Sequence, residues 1–75
     1  MTLKELGRIV RTLRKRNKIT GPQLYAKGVH PRTTANIELG RGNFEMRTLC
    51  TYLKLCNITF DEIAQEYELM KISEQ

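Results

Sequence analysis

Three times in this chain of 75 residues a threonine is followed, three positions later, by Glu or Gln at the head of a segment with apolar spacings of three and four. The pairs are Thr2 with Glu5, Thr20 with Gln23 and Thr59 with Glu62. Each is a capping box, in which the threonine hydroxyl accepts from the third helical N–H and the acid or amide side chain reaches back to the threonine N–H. Because the first four N–H groups of a helix have no partner within it, these pairs mark helix starts. Two more starts are readable, at His30-Pro31 and near Glu45, and no segment shows the strict alternation of a strand. The expectation is an all-α, compact five-helix bundle. It forms one domain over 1–75, with a core of about 3–64 and a helical extension or tail over 65–75.

Helix 1 is expected from about Leu3 to Asn17, with Leu6, Ile9, Val10 and Leu13 as its apolar stripe. Its other face is basic, carrying Arg8, Arg11, Lys15 and Lys18, with Arg14 and Arg16 at the edges. Helix 2 follows Thr20, tolerates Pro22 in its first turn and ends near Lys27, where Gly28 suits a left-handed turn. Helix 3 has His30 at the cap and Pro31 first, and runs to Leu39 before Gly40 and Gly42. Helix 4 covers about Glu45 to Leu55, with Met46, Leu49, Cys50 and Leu53 inward. In helix 5, Phe60, Ile63, Tyr67 and Met70 form a long stripe that either folds back on the core or makes a dimer contact.

Size and charge narrow the function classes. A chain this short buries only roughly 60% of the surface its unfolded form exposes, which leaves no room for a second functional domain. The formal net charge is +5, unevenly spread: residues 1–43 hold ten Lys or Arg against Glu5 and Glu38, and residues 44–75 hold three bases against six acids. The first part is therefore +8 and the second −3. A basic face beside an acidic remainder is the footprint of a polyanion binder, although a merely solvated charged surface has the same composition. Cys50 and Cys56 lie on one helical segment and, with a single histidine in the chain, fall short of a metal site. Both read as reduced, small apolar residues, which suits the cytoplasm. No apolar run is long enough to span a membrane, and the charged N-terminal segment does not read as an export signal.

Two short helices joined by a tight glycine turn, with amphipathic helices on either side, are the local plan of a helix-turn-helix. In that plan helix 2 crosses the DNA backbone and helix 3 presents its polar face to base edges in the major groove. The face of helix 3 opposite Val29 and Ile37 is expected to carry His30, Arg32, Thr33 and Asn36. Arg32 suits guanine, Asn36 adenine and the Thr33 methyl thymine, while Lys15 suits phosphate.

The segments L-R-K-R-N-K-I-T at 13–20, G-V-H-P-R-T-T-A-N-I-E-L-G at 28–40 and L-C-N-I-T-F-D-E-I at 55–63 resemble the Cro/repressor-type (XRE) helix-turn-helix domains. The short step from Thr20 to Gly28 is most similar to the N-terminal domain of the Rgg/MutR transcriptional regulators. The likeness spans Leu6 to Ile63 and implies a lambda-repressor-like fold. It also implies a pairing of Arg14 with Glu38 beside the phosphate backbone, which makes Arg14 mainly structural with a phosphate contact as a second role, and backbone contacts at Gln23, Arg41 and Asn43. Departures are His30 and Pro31 at the start of helix 3, where Pro31 offers no N–H to a phosphate, and Thr34 at a usually apolar position. His30 is accordingly a cap, a phosphate contact or simply exposed. The long helical-repeat domain through which those regulators sense peptides has no counterpart in these residues.

The leading expectation is sequence-specific binding of double-stranded DNA, as a homodimer on an inverted repeat, without cofactor, metal or small-molecule substrate. The alternative is a protein-interaction module, antirepressor-like or antitoxin-like, that keeps the fold and uses helix 5. RNA binding lacks an aromatic platform, and catalysis lacks a nucleophile-base pair.

Overall fold

In the computed structural model, which describes residues 1–74, the chain forms α1 (Leu3–Arg16), α2 (Gly21–Ala26), α3 (Pro31–Glu38), α4 (Met46–Leu55) and α5 (Phe60–Ser73). No strand occurs among the described residues. All three capping boxes close in both directions; in the first, the Glu5 N–H donates to the Thr2 hydroxyl at 3.0 Å and the Thr2 N–H to Glu5 Oε1 at 2.8 Å. At α3 the cap is His30, whose Nδ1 accepts from the Arg32 N–H at 3.0 Å.

The helices stop as economically as they start. After α1, α2, α3 and α4 the chain turns through a left-handed residue, Lys18, Gly28, Gly40 and Asn57 respectively, and the following N–H returns to a carbonyl five residues back. Ile19 donates to Arg14, Val29 to Leu24, Arg41 to Asn36 and Ile58 to Leu53, which is the Schellman closure. Three of those returning residues, Ile19, Val29 and Ile58, are apolar and enter or flank the core. The turns thus aim the next helix as well as ending the previous one. Asn17 ties two of them together, its side-chain amide donating to the Cys56 carbonyl at 2.9 Å.

The core takes Ile9, Val10 and Leu13 from α1, Leu24 from α2, Val29 and Ile37 from α3 and its lead-in, Leu49, Tyr52, Leu53 and Cys56 from α4, and Ile58 and Ile63 from α5 and its lead-in. Helix α5 folds back along α1, with Tyr67 and Met70 half-buried against the core. Two positions expected inside lie outside. Met46 is 67% exposed and Phe60 63% exposed. Both are the first residues of their helices, where the chain has not yet turned its apolar side to the core. In α4 the inward row is Leu49, Tyr52, Leu53 and Cys56, and Cys50 is only half-buried.

Helices α1 and α3 approach each other backbone to backbone. A Cβ on Gly7 would lie 2.5 Å from the carbonyl oxygens of Ile37 and Glu38, and one on Gly40 2.5 Å from the Lys4 Cα. Glycine at both positions lets the end of α3 lie directly on α1.

Candidate nucleic-acid interface

Helix α3 is held by its C-terminal carboxylate. Glu38 receives the Arg14 guanidinium side-on, Nε at 2.8 Å and Nη2 at 3.2 Å, and the Tyr52 hydroxyl donates to the same carboxylate. Arg14 Nη1 also donates to the Ile19 carbonyl at 2.8 Å. One acid therefore joins α1, α3 and α4, and nearly all of this cluster is out of solvent. Burial, then the hydrogen bond to Glu38, pushes the Tyr52 phenol far above its ordinary value, so it remains a donor. Burial likewise raises the Cys56 thiol to about 11, leaving it protonated in the core.

The Arg14–Glu38 pair joins α1 to α3 as expected. A phosphate contact by Arg14 does not fit this placement, because the guanidinium is buried and turned to protein acceptors. Tyr52 was not singled out from the sequence. A tyrosine in an otherwise aliphatic helical stripe, at core spacing from Leu49 and Cys56, was the available signal.

With Thr34 and Ile37 buried and Glu38 pinned, α3 turns Pro31, Arg32 and Leu39 to solvent, with Ala35 half-exposed between them. This outward face differs from the expected one at two positions. Asn36 is only 9% exposed, because the loop after α3 lies over it and the Asn43 carbonyl accepts from its amide at 3.4 Å. Thr33 is half-buried and turns toward α4, lining an open groove of about 310 Å³ with His30, Arg47, Thr48 and Thr51. Thr34 lies inside at 4% exposure, and its hydroxyl has no partner among the described residues.

The remaining expected residues are all at the surface. Gln23 is exposed, with its Oε1 accepting from the Thr20 N–H at 2.7 Å. His30 is exposed with Nδ1 engaged in capping. Lys15, Arg41 and Asn43 are exposed on α1 and the loop after α3. Arg47 escaped notice in the sequence. Its signal was a cation in the first turn of a helix, the end whose dipole disfavours positive charge.

Charge is segregated in space as well as along the chain. On one side of α1 the contacts with α5 are ion pairs of both senses: Glu66 of α5 meets Arg16 at 2.6 Å, and Lys71 of α5 meets Glu5 at 2.7 Å. On the α3 side, Lys4, Arg8 and Arg11 line a groove with Glu38 and Leu39. Among the described residues no carboxylate lies within 4.0 Å of Lys4, Arg8, Lys15, Arg32, Arg41 or Arg47.

No family model, curated protein or solved structure matches the chain. No helix among the described residues is long and apolar enough to cross a membrane.

Proposed function

We propose that the chain is a sequence-specific double-stranded DNA-binding module of transcriptional control, in which α2 and α3 form a helix-turn-helix and α3 enters the major groove. The observation that carries this reading is the setting of α3. Its outward face bears Arg32 beside small and apolar groups, cations stand on both flanks, and the α5 acid Glu66 pairs with Arg16 elsewhere on α1. A major groove is about 12 Å wide and admits one helix between two phosphate backbones. That ligand matches a central reader between cationic flanks better than a single acidic patch would.

Arg32 is the principal base reader, suited to the two acceptors of guanine, with Thr33 at the edge of the face. Asn36 acts through the loop it supports. Gln23 Nε2, His30 Nε2, Lys15, Arg41, Asn43 and Arg47 meet the sugar-phosphate backbone, fixing register without reading sequence. One module of this size covers on the order of 600–1,000 Å² of protein surface in a complex, so working affinity comes from two copies on an inverted repeat. The setting would be the cytoplasm.

Selection of bound duplexes from a random pool tests the reading. It should return a defined motif repeated in inverted orientation, and Arg32→Ala should lose the preference at one base pair of each half. Recovery of no motif by a chain that is folded would refute it. A protein-interaction module is the second reading, favoured by the exposed Leu69 and Ile72 on α5; it requires that the folded chain bind no duplex even at low salt.

A further inference from the structure

We infer that the outer row of α1, Lys4, Arg8, Arg11 and Lys15, is a phosphate track that follows one DNA strand beside the groove occupied by α3. The inference rests on the duplex-binding reading above and extends the backbone contact given there to Lys15 along the length of α1, to Lys4, Arg8 and Arg11.

Spacing comes first. The four residues stand at intervals of four, three and four, so they form a single row along one side of the helix. At about 1.5 Å per residue the row is about 16 Å long. One strand of duplex DNA places a phosphate at every ~3.4 Å of axis and winds as it rises, so a row of that length that follows the strand faces several successive phosphates, fewer than the axial rise alone would give. Four cations so arranged fit a line of charge rather than a single anion.

Position comes second. The Lys4 backbone lies against Gly40, and Lys4, Arg8 and Arg11 share a groove with Leu39 and Glu38, so the row begins at the C-terminal end of α3. Leu39 and Ala35 belong to the outward face that carries Arg32, and both also line the grooves shared with Arg11 or Arg8. The row therefore borders the proposed reading face and does not sit behind it. Across that face, Arg47 and Thr33 border the other side.

Sparse internal neutralisation comes third. Helix α5 brings acids to Arg16 and takes up Glu5 through its own lysine, yet the row receives none of them. The nearest carboxylate, Glu38, stands 3.8 Å from Arg11 and is already engaged by Arg14 and Tyr52. Like charges at helical spacing of three and four repel, so the row is retained against a small cost that a polyanion would reverse.

The test is the salt dependence of binding to a labelled random-sequence duplex and to a duplex from the selection, with the whole chain as protein. Lys4→Gln, Arg8→Gln and Lys15→Gln are combined, leaving Arg11 and its neighbour Glu38 untouched. Each phosphate contact contributes about 0.9 to the slope of log K against log salt, so the triple variant should lose about 2.7 of slope. The loss should be the same on both duplexes, with base preference intact. Arg8→Lys, which keeps the charge, should restore the contribution of that position when placed in the triple background. As a control for net charge, Lys27→Gln with Lys54→Gln should change the slope much less per charge removed, since neither residue belongs to the row. An unchanged slope in a triple variant that melts like the wild type would overturn the inference while leaving the duplex-binding reading in place, as would an equal per-charge effect of the control. A folded wild-type chain that binds no duplex removes both.

Discussion

Helix α1 is gripped on two sides, and the two grips are of different kinds. Against α3 the contact is close and dry: Gly7 admits the carbonyls of Ile37 and Glu38, and a buried arginine faces a carboxylate shared with Tyr52. Against α5 the polar contacts are ion pairs at the surface, Arg16 with Glu66 and Lys71 with Glu5. A buried charge that loses its partner is left without solvent to replace it, whereas an exposed one is rehydrated and screened. The position of α3 is therefore fixed tightly and that of α5 more loosely. This is the order a protein needs if α3 must meet its ligand in one register.

The contrast can be broken by mutation, and the largest effect should come from Glu38→Ala. It strands the Arg14 guanidinium and removes the acceptor of Tyr52, so a loss of about 3–5 kcal/mol is expected in denaturant unfolding. Next is Gly7→Ala. The added methyl meets two backbone oxygens that cannot swing aside, and a loss of about 1–3 kcal/mol is expected together with shifted amide resonances throughout α3. Thr34→Val sharpens the same side from the opposite direction. The hydroxyl is buried without a partner, so exchanging it for a methyl should be neutral or stabilise by about 1 kcal/mol.

The α5 side should give the smallest effects. Glu66→Gln should change stability little at low salt and not at all at high salt, as measured by thermal midpoints. Lys71 adds a pH dependence. Its hydrogen bond to Glu5, then the Thr2 N–H, holds the Glu5 carboxyl at about 2 against an ordinary value of 4.5. A depressed carboxyl stabilises the folded state above its ordinary value and loses that contribution as pH falls toward 2. The midpoint difference between wild type and Lys71→Met should therefore be constant above about pH 4.5 and shrink below it. A large, salt-independent loss from Glu66→Gln would mean that the two grips are alike.

Much of the frame was legible because helix starts are chemically explicit. Thr2, Thr20 and Thr59 announce their helices locally, and Gly28 and Gly40 announce two of the ends. The left-handed turn at Lys18 carries no such mark: its conformation is imposed by the Ile19 N–H returning to Arg14 and by Ile19 packing against the core. Periodicity overreached at Met46 and Phe60, since a stripe drawn through a first-turn residue assumes a neighbour that is not there. On α3 the helical spacing puts Asn36 on the face opposite Val29, but the loop around Asn43 covers it, and spacing along one helix contains no loops. The tight α1–α3 contact was likewise hidden in Gly7, whose role depends on a backbone thirty residues away.

The central claim is that the outward face of α3 reads sequence. Its most direct test is the ratio of affinities for the selected duplex and a scrambled one, measured for the wild type and for Arg32→Ala at the same salt. A lost bidentate base contact costs about 1–3 kcal/mol, so the wild-type ratio should fall by roughly five- to 150-fold in the variant while affinity for the scrambled duplex changes little. An identical ratio in the two proteins would contradict the claim.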